Sequence, residues 1–354
     1  MFKTTLLSLG LLGGIGLVPP VTAFFTITCP RIVRDRLDPI VSPGRVSGHV
    51  HNIVGGAGFG PNYTYEEALA SKCTSCPVKE DKSNYWTPQL YVKMRDGTFR
   101  VVPQPDDDQG GMTIYYLSFD TTHPVTPFPR GFAMVGGDAL LRAPSPTSSS
   151  RGLSYWCKGG HQSDYAGLPT EHCPSGIRIQ FHMPNCWNGE DVTPPTDGRK
   201  HVVYMDGDVR AGTCPEAFPY RLPQLFYEVN YDTQVFAEEW VGRQHPFTFA
   251  QGDGTGFGFH GDFTNGWDDG VLGRVVRECF NVAFDAVTCA GNAEGGFLTR
   301  NREEDVRACK IGGQVGEEVL APVGKLPGCN TVTYGPERAT AGKGNCTDDV
   351  HLLT

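Results

Sequence analysis

The chain has 354 residues, a formal net charge of −9 and no block of Lys or Arg, which argues against a nucleic-acid partner held through phosphates. Its length allows one large domain or two small ones. Twelve cysteines, an even number, read as disulfides of an exported protein rather than as reduced thiols, with connectivity open.

Residues 1–23 have the order of a secretory signal peptide. Lys3 supplies the charge, Leu6 to Val18 the apolar run, and Val21-Thr22-Ala23 a small-residue cleavage site. Four glycines and short length make that run a poor membrane anchor, and no later segment is long and apolar enough to span a bilayer. The mature chain is thus expected to start at Phe24, to be extracellular, and to have no membrane partner once the signal is removed. Asn62-Tyr63-Thr64 and Asn345-Cys346-Thr347 are N-glycosylation acceptors, as suits a secreted glycoprotein.

Forty-five glycines and 27 prolines punctuate many short alternating runs, the pattern of antiparallel β structure. Thr64 with Glu67 forms a capping box opening a short helix to about Lys72. Cys73 and Cys76 could form a redox pair, but structural pairing fits better; a zinc knuckle would need a second Cys-x-x-Cys. Tyr91 to Arg95 and Thr98 to Val102, joined by Asp96-Gly97, read as a hairpin. Met112 to Phe119, Gly176 to Met183, His201 to Met205 and Gln224 to Tyr231 read as strands. Ala143 to Ser150 reads as an exposed Pro/Ser-rich loop, a composition that suits O-glycosylation in an exported chain. A helix capped by Asp268 or Asp269 carries Val271, Leu272, Val275, Val276 and Cys279. A third, opened by Asn301 with Glu304, runs through Cys309. The expected fold is mainly β: a jelly-roll-like antiparallel β-sandwich with a few short helices, stapled by disulfides. Its core domain spans 24–300, and 301–354 form a disulfide-tethered C-terminal extension.

The most informative stretch runs from Gly252 to Trp267 and holds six glycines and a His260-Gly261-Asp262 triplet. Glycine permits sharp bends and close approach. An imidazole and a carboxylate two residues apart share a strand face, so the stretch reads as a backbone floor carrying two reactive groups, or more plainly as a surface loop in which Asp262 caps the next helix. His49-Val50-His51 has the spacing of two metal ligands on a strand, with His260, Asp262, His182 or His201 as candidates for a third. The cofactor it points to is a divalent metal of open identity; the plain reading is hydrogen bonding in a polar groove.

Arg178, Gln180 and His182 share one face of a predicted strand, and Tyr227, Val229 and Tyr231 one face of another. Cleaving a uronic-acid polymer by β-elimination needs a cation and an amide to neutralise the carboxylate, and a His or Tyr to move the proton. Arg178, Gln180, Asp253 and Tyr231 would then bind substrate, while His182, His260, Asp262 and Tyr227 would act catalytically. The two strands resemble the Gln-x-His and Tyr-rich strands of jelly-roll polysaccharide lyases, except that Glu228-Val229-Asn230 stands where that family has Lys-Ala-Gly. Asp253 and Asp262, or Glu228 and Asp206, could instead pair as glycosidase carboxyls. Copper oxidative cleavage is disfavoured, because Phe24 cannot coordinate as an N-terminal histidine would. No Gly-x-Ser-x-Gly or His-Glu-x-x-His occurs. Trp86, Trp187, Trp240 and Trp267 could stack on sugars but read more readily as core.

On Arg36-Leu37-Asp38-Pro39, Pro43-Gly44, Ser47-Gly48-His49-Val50-His51, Pro184 to Gly189, Cys214-Pro215, and Gly252-Asp253 through His260-Gly261-Asp262 to Gly266-Trp267, the chain resembles a fungal secreted family catalogued as domain of unknown function 1996. These segments span roughly residues 25 to 290. The resemblance implies secretion, sometimes beside cell-wall-binding modules, and no activity. The leading expectation is therefore an enzyme cleaving an extracellular polysaccharide, its partner being that polymer or the cell wall. The rival is a non-enzymatic metal-binding or cell-wall protein. A third reading, a structural or effector protein, scatters the histidines over the fold.

Overall fold

The computed structural model describes residues 23–105, 110–118, 124–145, 151–160, 164–242, 244–278, 297–340 and 350–353. Residues 1–22 of the predicted signal peptide, Cys279, Cys289, Asn345, Cys346 and the Pro/Ser run from Pro146 lie outside them.

The alternating runs fold into a large antiparallel sheet. Its chain-order members are β1 (Ala23–Asp35), β2 (His51–Gly55), β3 (Asn84–Pro88), β6 (Gly111–Leu117), β7 (Ala133–Gly137), β8 (Leu153–Cys157), β9 (Asp164–Tyr165), β10 (Ile177–His182), β14 (Gln224–Tyr231) and β16 (His260–Thr264). Their spatial order is β7-β16-β3-β2-β1-β6-β14-β10-β8-β9. Two three-stranded sheets flank it. One joins β4 (Leu90–Lys93), β5 (Phe99–Val101) and β15 (Phe247–Phe249). The other joins β11 (Cys186–Trp187), β12 (Val202–Val203) and β13 (Tyr220–Arg221).

The sheet curls so that its two ends face each other across the main core. Tyr227 of β14 donates its hydroxyl to the Asp262 carbonyl of β16 at 3.0 Å. A Cβ on Gly261 would stand 2.9 Å from the Tyr227 ring and 3.1 Å from Phe181. Only a hydrogen at 261 leaves room for those two rings, so glycine here sets how closely the layers pack. Alternation on β10 and β14 sends Ile177, Ile179, Phe181, Tyr227, Val229 and Tyr231 into this core, as the sequence pattern predicts.

The opposite face of β2, β3 and β16 carries a second, smaller core. Ile53 pairs with Trp86, and Trp86 with Asp262, so these side chains share a face. Ile53 and Trp86 pack there with Ile32, Leu37, Phe59, Cys309 and Val315. The covering layer is the loop after β1 together with residues from the C-terminal part of the chain. The Cys73–Cys309 disulfide fastens the latter, and Cys29–Cys76, Cys157–Cys173 and Cys186–Cys214 are the other described bridges. Cys73 and Cys76 thus serve two different structural bridges rather than one redox pair.

Helices are short. α1 (Tyr65–Leu69) has the reciprocal Thr64–Glu67 capping box but ends earlier than its sequence suggests. α2 (Val271–Glu278) buries Leu272, Val275 and Val276. α3 (Glu303–Ala308) begins at Arg302 without a side-chain cap. The expected cap, Asn301, donates instead to the Cys76 carbonyl at 3.0 Å, tying the helix to the core. No helix among the described residues is long and apolar enough to cross a membrane.

Candidate metal centre

Strand register builds the site. His51 pairs with Pro88 across β2 and β3, while Asp262, Phe263 and Thr264 of β16 pair with Trp86, Tyr85 and Asn84 on the other side of β3. Continuing that antiparallel register by two residues sets His260 level with Pro88. His51 and His260 therefore flank the same proline, one strand away on each side, and project from the same face. His49, two residues before β2 in the covering loop, closes the third side.

The three rings converge. One ligand atom from each of His49, His51 and His260 lies within 4.8 Å of the others. His49 Nε2 stands 3.0 Å from His260 Nε2, and the His49 and His51 ring centroids are 4.3 Å apart. Nitrogens bound to one ion at roughly 2.0–2.1 Å, with bond angles of about 90–110°, would be separated by about 2.8–3.4 Å. His49 and His260 already sit at that spacing.

Backbone carbonyls fix two of the rings. The Leu37 carbonyl lies 3.0 Å from His51 Nδ1, and the Gly258 carbonyl 3.0 Å from His260 Nδ1. A carbonyl can only accept, so each Nδ1 carries the proton and each Nε2 a lone pair facing the centre. This is how metal-bound histidines are commonly oriented by their surroundings. His51 Nε2 is buried and has no protein partner. Burial comes first in lowering all three pKa values. The His51 and His260 rings push His49 down further, and His260 does the same to His51, both well below 6.5. His260 is lowered to about 4. Near neutral pH the site therefore offers three unprotonated nitrogens. His51 and His260 are buried and His49 is partly exposed, so the centre opens to the surface on the His49 side.

Asp262 faces the same layer, 1 % exposed, and neither carboxylate oxygen has a protein partner. Its neighbour across the strand pair, Trp86, has an indole N–H in the same condition. Burial, and then the Asp38 carboxylate, raise the pKa of Asp262 well above the usual range. An uncompensated carboxylate here would be costly.

The glycine run does not floor an open groove; it packs closely against protein. Gly252 lies at φ +80°, where a Cβ would meet the Thr331 carbonyl at 2.2 Å, and Gly254 lies against Tyr334. Asp253, fully buried, holds the loop through Thr255 N and Oγ1 and Gly258 N, with Arg142 3.7 Å away. Asp253 so shapes the turn that presents the Gly258 carbonyl to His260.

The remaining sequence candidates lie elsewhere. His182 projects from the face of β10 opposite Phe181, across the main core from the three histidines, and stacks on Phe226 at 4.2 Å between ring centroids. Arg178 shares that outer face, bridging to Glu228 at 3.1 Å and lying over the Trp156 ring. Gln180, level with Glu228, is on it too. Tyr227 and Tyr231 point inward; the Tyr231 hydroxyl accepts from Asn52 Nδ2 at 3.0 Å. His201 lies against the Ala133 carbonyl at 2.8 Å. Folding thus separates the expected set into a three-histidine centre with Asp262 alongside, a polar outer strand face with His182, Arg178 and Gln180, and two core tyrosines. Sequence reading missed the carbonyls of Leu37 and Gly258, which orient two rings. Main-chain acceptors leave no residue-type signal.

Residues 38–267 match the family model described as Domain of unknown function (DUF1996). No curated protein and no solved structure matches the chain.

Proposed function

The chain belongs to the DUF1996 family, whose description carries no activity, and we propose from its site that it binds one divalent transition-metal ion through His49, His51 and His260. The observation that carries this reading is the meeting of one ring nitrogen from each of three histidines within 4.8 Å, together with the buried, unpartnered His51 Nε2. Neutral imidazoles favour zinc, copper, iron or nickel over calcium or magnesium. Three protein ligands leave a position for water or substrate, the arrangement of catalytic rather than structural zinc sites. A metal held by these three side chains would supply acidification of a bound water. Asp262, buried on the same strand face as His260 with both carboxylate oxygens unpartnered, would be the group of this chain available to take up a proton there. The reaction class this favours is metal-assisted hydrolysis, and the setting is extracellular, in keeping with the disulfides. The test is metal content after purification without chelating resin, with His51→Ala and His260→Ala beside it. About one equivalent in the parent chain and background in both variants is expected; no metal in the parent chain at saturating zinc or copper overturns the reading.

A second reading, carbohydrate contact, is favoured by the outer face of β6, β8, β10 and β14. Tyr115, Trp156 and Phe226 are partly exposed there beside Arg178, Gln180, Glu228 and His182. Aromatic faces next to planar hydrogen-bonding groups suit sugar rings, and Arg178 suits a uronate. Retention on an insoluble polysaccharide panel, lost in Trp156→Ala, would support it; equal retention of parent and variant would count against it. Formation of unsaturated product from a polyuronate tests the lyase version.

A further inference from the structure

His51 begins a strand and has a carbonyl behind its ring, and His260 has both as well, but His49 has neither. It sits in the covering loop, and its Nδ1 has no hydrogen bond among the described residues. Its backbone neighbours are held locally, Ser47 N donating to the Arg36 carbonyl at 2.9 Å and Gln89 N to the Val50 carbonyl at 3.0 Å, and the Gly48 carbonyl is held from the other end of the chain. Asn330 Nδ2 donates to the Gly48 carbonyl at 2.8 Å and to the Pro327 carbonyl at 3.2 Å. Gly328, at φ +76°, packs so tightly that a Cβ there would lie 2.4 Å from the Gly48 oxygen. On the same turn, Glu317 accepts from Gly328 N at 3.0 Å and binds Arg36 Nη1 at 2.5 Å, while Arg36 Nε donates to the Ser47 carbonyl at 2.8 Å. The Arg36 and Glu317 side chains are only 11 % and 16 % exposed, so water screens the pair weakly. Ser47 and Gly48 are thus gripped at consecutive carbonyls, through Arg36 and Asn330, immediately before His49. Gly48 itself is exposed, and its carbonyl takes its hydrogen bond from Asn330.

We propose that residues 317–330 act as a clasp that positions His49, making the C-terminal segment part of the metal centre without supplying a ligand. This rests on the three-histidine reading above. Asn330 and Glu317 are positioning residues: with the clasp open, His51 and His260 remain and the third ligand is lost.

The experiment measures zinc affinity and the visible spectrum of the cobalt-substituted protein for the parent chain, Asn330→Ala, Glu317→Gln, His49→Ala and the double variant Asn330→Ala/His49→Ala. Asn330→Ala and Glu317→Gln should each weaken zinc by roughly 10- to 100-fold, as loss of an orienting partner does elsewhere, with the cobalt spectrum moving toward that of His49→Ala. In the His49→Ala background, Asn330→Ala should add less than a twofold change, because its effect runs through that ring. A circular-dichroism melt on each variant identifies chains that fail to fold; for those, Asn330→Gln, which keeps the amide, substitutes and should retain near-parent affinity. If the parent chain binds no metal, the three-histidine reading itself fails. If the parent binds and both clasp variants keep parent affinity and spectrum, or their losses add fully to that of His49→Ala, the clasp is overturned while the centre stands.

Discussion

His49 Nε2 and His260 Nε2 lie 3.0 Å apart although 211 positions separate them in the chain. Because the Gly258 carbonyl holds the proton of His260 on Nδ1, the two facing nitrogens can share one proton, carried by His49, or one cation. Two protonated rings at this distance would repel strongly; His49 is lowered by burial first and then by the His51 and His260 rings, and His260 chiefly by burial.

The first prediction concerns pH and metal. Protons compete with a metal only below a ligand's folded-state pKa, and His260 is lowered to about 4 by burial. Zinc affinity should therefore stay nearly level from pH 7.5 to about 5.5 and fall steeply toward pH 4. A site of exposed histidines would begin to lose metal near 6.5. Titration with a competing chelator across this range decides it.

A second prediction separates the histidines. His182→Ala should leave metal content unchanged, because that ring projects from the outer face of β10, away from the centre. His51→Ala should remove the metal and cost stability in its presence. The comparison is made by metal analysis and by melting with and without chelator; the shift in Tm on chelation should be present for His182→Ala and absent for His51→Ala.

Third, Arg142 and Asp253 form a buried pair, 1 % and 0 % exposed at the side chain. Asp253 keeps three other hydrogen bonds from Thr255 and Gly258, and Arg142 also holds Thr333 and the Ala139, Leu141 and Gln251 carbonyls. Arg142→Ala removes one partner of this network and should cost about 3–5 kcal/mol. Metal affinity should drop with it, since the Gly258 carbonyl that orients His260 belongs to the same turn. Urea unfolding and zinc titration on one preparation measure both.

A fourth prediction takes Asp81, fully buried against Ser83 N and the Tyr85 hydroxyl, whose pKa burial raises to about 6. The folded pKa lies above the unfolded value of 3.8, so folding is favoured by the protonated form. That contribution is present below about pH 4 and is lost as pH rises to about 6. Asp81→Asn should therefore gain relative to the parent over that interval, by on the order of 3 kcal/mol. Paired urea melts at pH 4 and pH 7 test it; an equal difference at both would refute it.

How far the sequence foreshadows this molecule depends on the kind of information needed. Strand β14 falls on Gln224–Tyr231, as its alternation predicts, because period two is a local property. His49 and His51 are a visible pair for the same reason. The partnership with His260 depends on β3 lying between β2 and β16, and no local pattern encodes which strands become neighbours. His182 illustrates the converse. Alternation correctly puts it with Arg178 and Gln180, but one strand cannot say which of its faces looks toward which half of a curled sheet. The glycine run was legible as a place of close approach, though what approaches is Thr331 and Tyr334 of this same chain. Helix α3 was legible as a helix but not in its cap, because Asn301 is drawn off by the Cys76 carbonyl.

The Cys73–Cys309 bridge spans 236 positions of sequence. Any single backbone cut between those two cysteines, including one in the exposed turn around Asp197, leaves two fragments still joined by a covalent link. A nicked molecule would migrate as two pieces only after reduction. Digestion would then reach the segment over the histidines in two stages, cleavage first and thiol exchange second.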